Sequence, residues 1–220
     1  MRRMRRAYYD KFSRFYDRFV AFHSRDAQGL ARRFLADRLP VEHGGSVLDL
    51  CTGTATLLSH LQAKVGREGQ AVGVDFSRGM LKVAHEKTRS LPNVHLVEAD
   101  AGRLPFAAGT FEAVTCSHAF YELKGETQHS ALREIVRVLR PEGVFLMMEH
   151  DVPPNAFVRA LFYLRLAFIG AGRAITFLRH EQEILEGYFG SVEKVLPPGR
   201  AVQGHGLPEV LNEKNGHLVP

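Results

Sequence analysis

Three acidic residues each follow a short apolar segment, and their spacing suits the recognition of a nucleoside. Asp49 precedes the tight turn Cys51–Ala55, Asp75 comes 22 residues after Gly53, and Asp100 follows a third segment. A turn of small residues lets a ligand approach the backbone, and a carboxylate about 20 residues further on can accept hydrogen bonds from ribose hydroxyls. A carboxylate after the third segment can accept a hydrogen bond from the exocyclic amine of an adenine. One glycine is weak evidence for a nucleotide turn, so the prediction rests on the three positions together.

The elements that position these residues alternate between strands and helices. Before them, residues 7–38 have the apolar spacing of two helices. The predicted strands are 47–50, 71–75, 94–97, 111–117 and 144–148, and the predicted helices between them are 54–64, 77–89 and 128–139. This alternation indicates a Rossmann-like, doubly wound α/β fold with a mostly parallel sheet, in which ligands bind beyond the carboxyl ends of the strands. The segment 192–196 can form a sixth strand, whereas the sequence leaves a seventh strand open.

The chain resembles the class I S-adenosylmethionine-dependent methyltransferases, and within them the ubiquinone/menaquinone C-methyltransferases. The resemblance covers roughly residues 8–196. It is carried by the segments Val47–Ala55, Ala71–Leu81, Val97–Phe106, Phe111–Ser117 and Arg133–Gly143, and by the pairs Tyr9-Asp10 and Tyr16-Asp17. Two positions depart from the family pattern, because Cys51 and Ala55 stand where it usually has glycine. The Cβ atoms at these positions constrain the turn.

The resemblance implies S-adenosyl-L-methionine as cofactor. The residues that it places against the cofactor are Asp49, Cys51, Thr52, Gly53, Thr54, Asp75, Phe76, Met80, Asp100, Ala101 and Ser117. Asp49 would orient the turn and the methionine ammonium, Asp75 would bind the ribose, and Asp100 would contact the adenine. Met80 has a second interpretation, as a core residue of its helix, and Ser77 is the better N-cap for that helix.

The residues beyond the fourth and fifth strands are candidates for catalysis. His118 is the first residue after the fourth strand, where it would lie over the transferable methyl group, and Tyr121 and Glu122 share that rim. The alternative for His118 is a hydrogen-bonded histidine of the sheet rim. Glu149, His150 and Asp151 form a polar group after the fifth strand, but their spacing predicts no metal site. Cys51 and Cys116 end adjacent strands, and we interpret both as small buried side chains rather than redox partners.

Three further segments complete the predicted organisation. We assign residues 1–45 to a basic and aromatic helical lid, residues 46–196 to the cofactor-binding domain, and residues 197–220 to a polar tail. Within the domain, residues 155–188 would cover the acceptor. The apolar helix at 156–172 suits a greasy acceptor such as a prenylated quinone or a lipid.

Charge and composition bear on the partners. The formal net charge is +5, and residues 1–18 account for all of it, with seven basic and two acidic side chains. A neutral body argues against a nucleic-acid-binding surface, whereas the basic, aromatic residues 1–22 favour peripheral contact with an anionic membrane. Apolar residues make up 45% and charged residues 24%, values that exclude a disordered, collagen-like or repeat protein.

The sequence therefore predicts a methyltransferase that acts on a small, apolar or lipid-like acceptor. Two cysteines, with neither a signal peptide nor a spanning segment in the sequence, favour a cytoplasmic protein, peripheral at the inner face of the membrane. Two other classes stay open: a non-catalytic module that binds the same cofactor, and an NAD-type dehydrogenase. The second lacks the Gly-x-Gly-x-x-Gly turn of its class and a separate substrate domain.

Overall fold

A seven-stranded sheet with helices on both faces forms the body of the chain in a computed structural model. The structure describes residues 6–13, 15–17, 30–123, 125–150, 155–168, 172–195 and 208–214. The strands are β1 Ser46–Leu50, β2 Gln70–Asp75, β3 Val94–Glu98, β4 Phe111–Ser117, β5 Leu139–His150, β6 Ser191–Val195 and β7 Pro208–Lys214. The helices are α1 (described at 6–13 and 15–17), α2 Leu30–Asp37, α3 Thr56–Val65, α4 Arg78–Thr88, α5 Glu126–Val138, α6 Ala156–Phe168 and α7 Gly172–Glu186, with a 3-10 helix at Phe120–Glu122.

The order of the strands is β3-β2-β1-β4-β5-β7-β6, and the first five are parallel. This confirms the predicted Rossmann-like, mostly parallel sheet. β1 pairs with both β2 and β4, so the direction of winding reverses there. The carboxyl ends of β1 and β4 therefore flank the topological switch point, where open α/β sheets bind their ligands.

The strands are apolar on both faces because helices cover both. Alternate residues of a strand point to opposite faces, so Leu48 and Leu50 of β1 pack in one core cluster. Val47 packs in the other cluster, together with Leu35 of α2 and Leu61 of α3. Two separate layers of side chains thus hold the ends of the strands in fixed positions.

The boundaries of the elements agree with the predicted ones to within a few residues, apart from the start of β5. Ser77 is the N-cap of α4, as predicted, and its hydroxyl accepts the backbone N–H of Met80 at 3.2 Å. β5 begins at Leu139, which pairs with Phe111, and regular pairing resumes at Val144 beside Ala113. Residues 140–143 therefore form an irregularity inside the strand, where the sequence predicted a turn before it.

The seventh strand is present, and it comes from the segment that we expected to be a polar tail. Residues 208–214 form β7, which lies antiparallel between β5 and β6. Part of the expected tail therefore belongs to the sheet. The sequence left this strand open because its residues do not alternate regularly between apolar and polar side chains. Pairing with β5 on one side and β6 on the other forms the strand instead. Leu196 of the predicted sixth strand lies outside the described residues.

Some predictions concern segments that the structure does not describe. They include residues 1–5 and 18–22 of the expected lid, Asp151, and residues 169–171 of the expected apolar helix. Within the described ranges, every helix is too short or too polar to span a bilayer.

Candidate cofactor and acceptor site

The turn between β1 and α3 adopts a left-handed backbone at three positions. The φ angles are 56° at Cys51, 56° at Gly53 and 62° at Ala55. A left-handed conformation costs roughly 1–2 kcal/mol for a residue with a Cβ atom, so the departures from glycine at 51 and 55 place strain in the turn. A Cβ atom at Gly53 would meet nothing within 4 Å, which means that this glycine faces open space.

Asp75 ties this turn to the end of β2. Its Oδ2 accepts the backbone N–H of Gly53 at 2.9 Å, and its Oδ1 accepts the backbone N–H of Ser77 at 2.9 Å. Burial raises the pKa of Asp75 to about 6, against the effect of these hydrogen bonds. The backbone N–H of Phe76 also lowers this pKa, and because a carboxylate has about four acceptor sites, the group can still accept a ribose hydroxyl.

Asp49 is held in a similar way at the end of β1. Its Oδ2 accepts the hydroxyl of Thr52 at 2.6 Å, and its Oδ1 accepts the hydroxyl of Thr115 at 2.9 Å. Burial raises the pKa of Asp49 to about 6, while both hydroxyls and the positive charge of Arg32 act in the opposite direction. The carboxylate is therefore fixed in orientation by neutral donors and lies within the field of a cation.

A small cavity of about 40 Å³ opens beside these residues. Its lining consists of Tyr16, Arg32, Asp49, Cys51, Thr52, Gly53, Thr54, Thr56, Leu57, Ser117 and Ala119. Six of these were predicted as cofactor contacts: Asp49, Cys51, Thr52, Gly53, Thr54 and Ser117. The hydroxyl of Ser117 is buried and has no hydrogen-bond partner. An unpartnered hydroxyl and an open glycine face fit a polar ligand such as the predicted cofactor.

The five other predicted cofactor residues, including Asp75, lie outside this lining. Phe76 packs edge-on against Tyr9, with ring centroids 5.9 Å apart. Met80 and Ala101 are buried, and Ala101 belongs to a core cluster. Asp100 caps its own turn, since its Oδ1 accepts the backbone N–H of Gly102 at 3.0 Å. Their contacts with adenine stay predictions.

Two aspartates of helix α1 bind residues at the edge of the site. Oδ1 of Asp10 accepts the hydroxyl of Ser77 at 2.6 Å and the backbone N–H of Gly79 at 2.9 Å. Oδ1 of Asp17 accepts the hydroxyl of Thr54 at 2.6 Å, and Lys87 forms an ion pair with Asp17 at 2.5 Å. The helix is thus fastened to the residues that follow β1 and β2.

A second group of polar side chains follows β4 and β5. His118 comes directly after β4 with a φ of 54°, and its backbone N–H donates to the carbonyl of Met148 at 2.7 Å. Oε1 of Glu149 accepts the backbone N–H groups of Phe120 at 2.7 Å and Tyr121 at 3.3 Å. Glu149 therefore fixes the 3-10 helix that carries Tyr121.

The carboxyl group of Glu149 lies in a setting that disfavours its charged form. The residue is 2% exposed, and its Oε2 is buried without a hydrogen-bond partner. Burial raises the pKa of Glu149 well above its usual range, and the carboxylates of Glu181 and Glu122 add to the effect. The hydroxyl of Tyr9 donates to Oε2 of Glu122, so α1 also reaches this rim.

The structure adds residues that the sequence did not single out as ligands. Arg32 of α2 and Tyr16 of α1 line the cavity, and burial raises the pKa of Tyr16 to about 12. Cys51 and Cys116 are free thiols; Cys116 is buried as predicted, whereas Cys51 is half-buried because it lines the cavity. Their mutual hydrogen bond together with burial raises the pKa of Cys116. Across the described ranges, no three His, Cys, Asp or Glu side chains group together as metal ligands would.

Comparison with known proteins agrees with this geometry. Residues 47–143 match a family model described as a methyltransferase domain. The demethylmenaquinone methyltransferase of Staphylococcus epidermidis is 34% identical over 161 residues, which cover 73% of this chain and 66% of that protein. That of Staphylococcus haemolyticus is 33% identical over 154 residues, with coverages of 70% and 64%. The chain thus spans slightly less than two thirds of these relatives.

Solved structures share the fold. A SAM-dependent methyltransferase from Aquifex aeolicus superposes with a TM-score of 0.61 at 17% identity, over 90% of this chain and 97% of that one. The fold is therefore that of the class I S-adenosylmethionine-dependent methyltransferases. Residues 47–143 thus match the methyltransferase domain family, and the solved structures that share the fold include an enzyme that depends on S-adenosyl-L-methionine.

Proposed function

We propose that this chain transfers the methyl group of S-adenosyl-L-methionine to a small apolar acceptor, a quinone-type ring with a prenyl tail. The observation that carries the cofactor half of the proposal is the hydrogen bond from Gly53 to Asp75 beside the open cavity. This hydrogen bond connects the glycine turn, which a cofactor would approach, with the carboxylate of Asp75, which would accept hydrogen bonds from a ribose. The name of the relatives, demethylmenaquinone methyltransferase, supports a quinone-type acceptor.

An apolar stripe on α6 supports a greasy acceptor. Phe157, Leu161 and Leu164 are 73%, 51% and 67% exposed. They are four and three residues apart, so they share one face of the helix. Exposed apolar patches of this kind mark sites that bind lipids, membranes or other proteins. In the proposal, this stripe meets the prenyl tail and the membrane that holds it.

The residues beyond β4 would handle the acceptor. When bound, the cofactor supplies a methyl group that its sulfonium already activates, so alignment is the main task of the protein. His118 would accept the proton that the acceptor loses, because it follows β4 directly and its backbone is tied to Met148. Tyr121, held through Glu149, would line the acceptor side.

The test is a methyl-transfer assay with the purified chain and methyl-labelled S-adenosylmethionine. Demethylmenaquinone, a tail-free naphthoquinol and phosphatidylethanolamine are supplied separately, each quinone being reduced first. Label in the demethylmenaquinone product, with little in the tail-free ring, is expected. Label in the phospholipid would replace the acceptor class. If calorimetry detects binding of S-adenosylhomocysteine but every acceptor fails, a non-catalytic module is favoured, and binding of NAD instead would favour a dehydrogenase.

Peripheral membrane contact is tested separately, by flotation with vesicles that contain anionic phospholipid. Leu161→Glu is expected to reduce binding several-fold, because a charge then lies on the apolar stripe. Ala63→Glu is the matched control, since Ala63 is exposed on α3 and adds the same charge elsewhere. Equal binding of both variants and the parent would contradict a membrane role for α6.

A further inference from the structure

The two thiols of the chain lie side by side at the carboxyl ends of β1 and β4. Cys116 of β4 pairs in register with Leu50, and Cys51 is the residue that follows Leu50. Neighbouring strands are about 4.8 Å apart and advance about 3.3 Å per residue, so the Cα atoms of such a pair fall within the range of about 4.4–6.8 Å that disulfides require. The thiols also form a mutual hydrogen bond, so the two sulfur atoms are in contact.

The two thiols differ in their access to small molecules. Cys116 is fully buried in the core cluster that contains Leu50, whereas Cys51 lines the cavity of about 40 Å³ at the candidate cofactor site. A water molecule needs about 10–15 Å³ of such volume, so a molecule as small as hydrogen peroxide can enter. It reaches Cys51 first, with Cys116 held as a second thiol beside it. An accessible cysteine next to a resolving cysteine is the arrangement of redox-sensitive sites.

Cys51 belongs to the turn that binds the two carboxylates of the cofactor half. The next two residues donate to them: the hydroxyl of Thr52 to Asp49 at 2.6 Å, and the backbone N–H of Gly53 to Asp75 at 2.9 Å. The sulfur atoms of a disulfide are about 2.05 Å apart, much closer than two thiols in contact. Closing that gap moves Cys51 toward β4 and disturbs the hydrogen bonds of its neighbours. Its left-handed backbone, with a φ of 56°, has little freedom to absorb the movement, because that region is small.

We propose that a peroxide converts Cys51 and Cys116 into a reversible disulfide, and that this modification weakens the binding of the cofactor. First, the sulfur of Cys51 bonds to one peroxide oxygen while the O–O bond breaks; the sulfur gives up two electrons to the peroxide, and the thiol proton leaves in water. The sulfur of Cys116 then attacks the sulfenic sulfur. The S–S bond forms, the S–O bond breaks, and the second thiol proton leaves with the hydroxyl group as water. A dithiol restores both thiols by exchange.

The disulfide can be identified without a variant, because the chain has only two cysteines. The reduced protein is treated with hydrogen peroxide, alkylated with N-ethylmaleimide in urea and digested with trypsin. A cross-link between the tryptic peptides 39–64 and 104–124, which dithiothreitol removes, is expected. Two alkylated thiols, a sulfinic acid at Cys51 without a cross-link, or a cross-link only between two copies of the chain would each overturn the proposal.

Calorimetry with S-adenosylhomocysteine tests the effect on the cofactor, which rests on the proposed function. The oxidised protein is expected to bind about tenfold more weakly than the reduced protein, and dithiothreitol is expected to restore the affinity. Because binding and oxidation are then linked, S-adenosylhomocysteine should also slow the cross-link. Equal affinity of the two forms would overturn this effect. If the reduced protein does not bind the ligand, the proposed function fails, whereas the cross-linked peptide still decides whether the disulfide forms.

Two variants separate the roles of the thiols. Cys116→Ala lacks the resolving thiol, so excess peroxide is expected to carry Cys51 on to the sulfinic acid, and dithiothreitol no longer restores the affinity. Cys51→Gly lacks the accessible thiol and is expected to keep Cys116 reduced under the same treatment. Full recovery of oxidised Cys116→Ala, or oxidation of Cys116 in Cys51→Gly as fast as in the parent, would contradict these roles. The cross-linked peptide of the parent decides the matter if either variant fails to fold.

Discussion

The two halves of the site hold their buried carboxyl groups in different ways. In the cofactor half, at the ends of β1 and β2, every oxygen of Asp49 and Asp75 accepts a hydrogen bond. In the acceptor half, at the ends of β4 and β5, Glu149 uses one oxygen and buries the other without a partner. The difference teaches that the carboxyl groups of the cofactor half are fully satisfied by the protein itself. The acceptor half retains an unsatisfied polar group, and such groups in native proteins usually have a functional reason.

The strongest test of this contrast measures cofactor affinity. Asp75→Ala removes the acceptor of the Gly53 and Ser77 N–H groups and of the ribose, so binding of S-adenosylhomocysteine should weaken by about 3–6 kcal/mol, at least a hundredfold. Glu149→Ala should bind it within about threefold of the parent. Calorimetry on both variants decides the point, and comparable losses would mean that the two halves are not separate.

Substitution of Glu149 should change the free energy of unfolding, although it should leave cofactor affinity almost unchanged. Glu149→Ala leaves the buried N–H groups of Phe120 and Tyr121 without an acceptor, at a cost of about 2–4 kcal/mol. Glu149→Gln keeps an oxygen for them and is expected to lie within about 1 kcal/mol of the parent. Urea unfolding measures both. A Gln variant as unstable as the Ala variant would argue that the carboxyl proton itself is needed.

The pH dependence of the free energy of unfolding should distinguish the carboxyl groups of the two halves, because they titrate over different pH ranges. A carboxyl group whose pKa is raised on folding keeps its proton longer in the folded state, so stability falls as pH rises between the unfolded and folded pKa values. For Asp49 and Asp75 this window runs from 3.8 to about 6, and for Glu149 it extends higher. Each group contributes a slope of at most about 1.4 kcal/mol per pH unit.

Two variants test the assignment of these windows. Asp75→Asn should flatten the fall in unfolding free energy only below pH 6, whereas Glu149→Gln should flatten it from pH 4.5 upward and also above pH 6. Urea titrations between pH 4.5 and 8 provide the measurement. A variant that changes the slope only in the other window would show that another group titrates there.

The smallest expected effect concerns the strained turn of the cofactor half. Ala55 and Ala84 are both fully buried, but Ala55 has a left-handed backbone, whereas Ala84 lies within α4. Ala84→Gly should destabilise the protein by about 1 kcal/mol, since glycine is unfavourable inside a helix. At Ala55 the relief of left-handed strain offsets that loss, so Ala55→Gly should be near neutral or slightly stabilising. Thermal unfolding of the pair provides the comparison, and equal losses would contradict strain at Ala55.

Much of the fold and of the cofactor half could be predicted because local patterns carry them. Asp49, the turn and Asp75 stand at the ends of short apolar segments. Their places at the ends of strands can therefore be predicted from the sequence alone. Arg32 could not be separated from Arg33 by sequence, because the two are adjacent and only the packing of α2 decides which faces inward. β7 could not be predicted because residues 197–220 show no regular alternation of apolar and polar side chains, and the strand is formed through pairing with β5 and β6.

The position of β7 has a consequence for how the chain acquires its fold during synthesis. β6 emerges from the ribosome before β7 but joins the described sheet through it. Until residues 208–214 follow, β5 presents an open edge along 144–150, the residues that pair with β7. Such an edge is a template for pairing with another nascent chain. The order of translation therefore makes the interval before β7 emerges the time at which this edge of β5 is open to pairing with another chain.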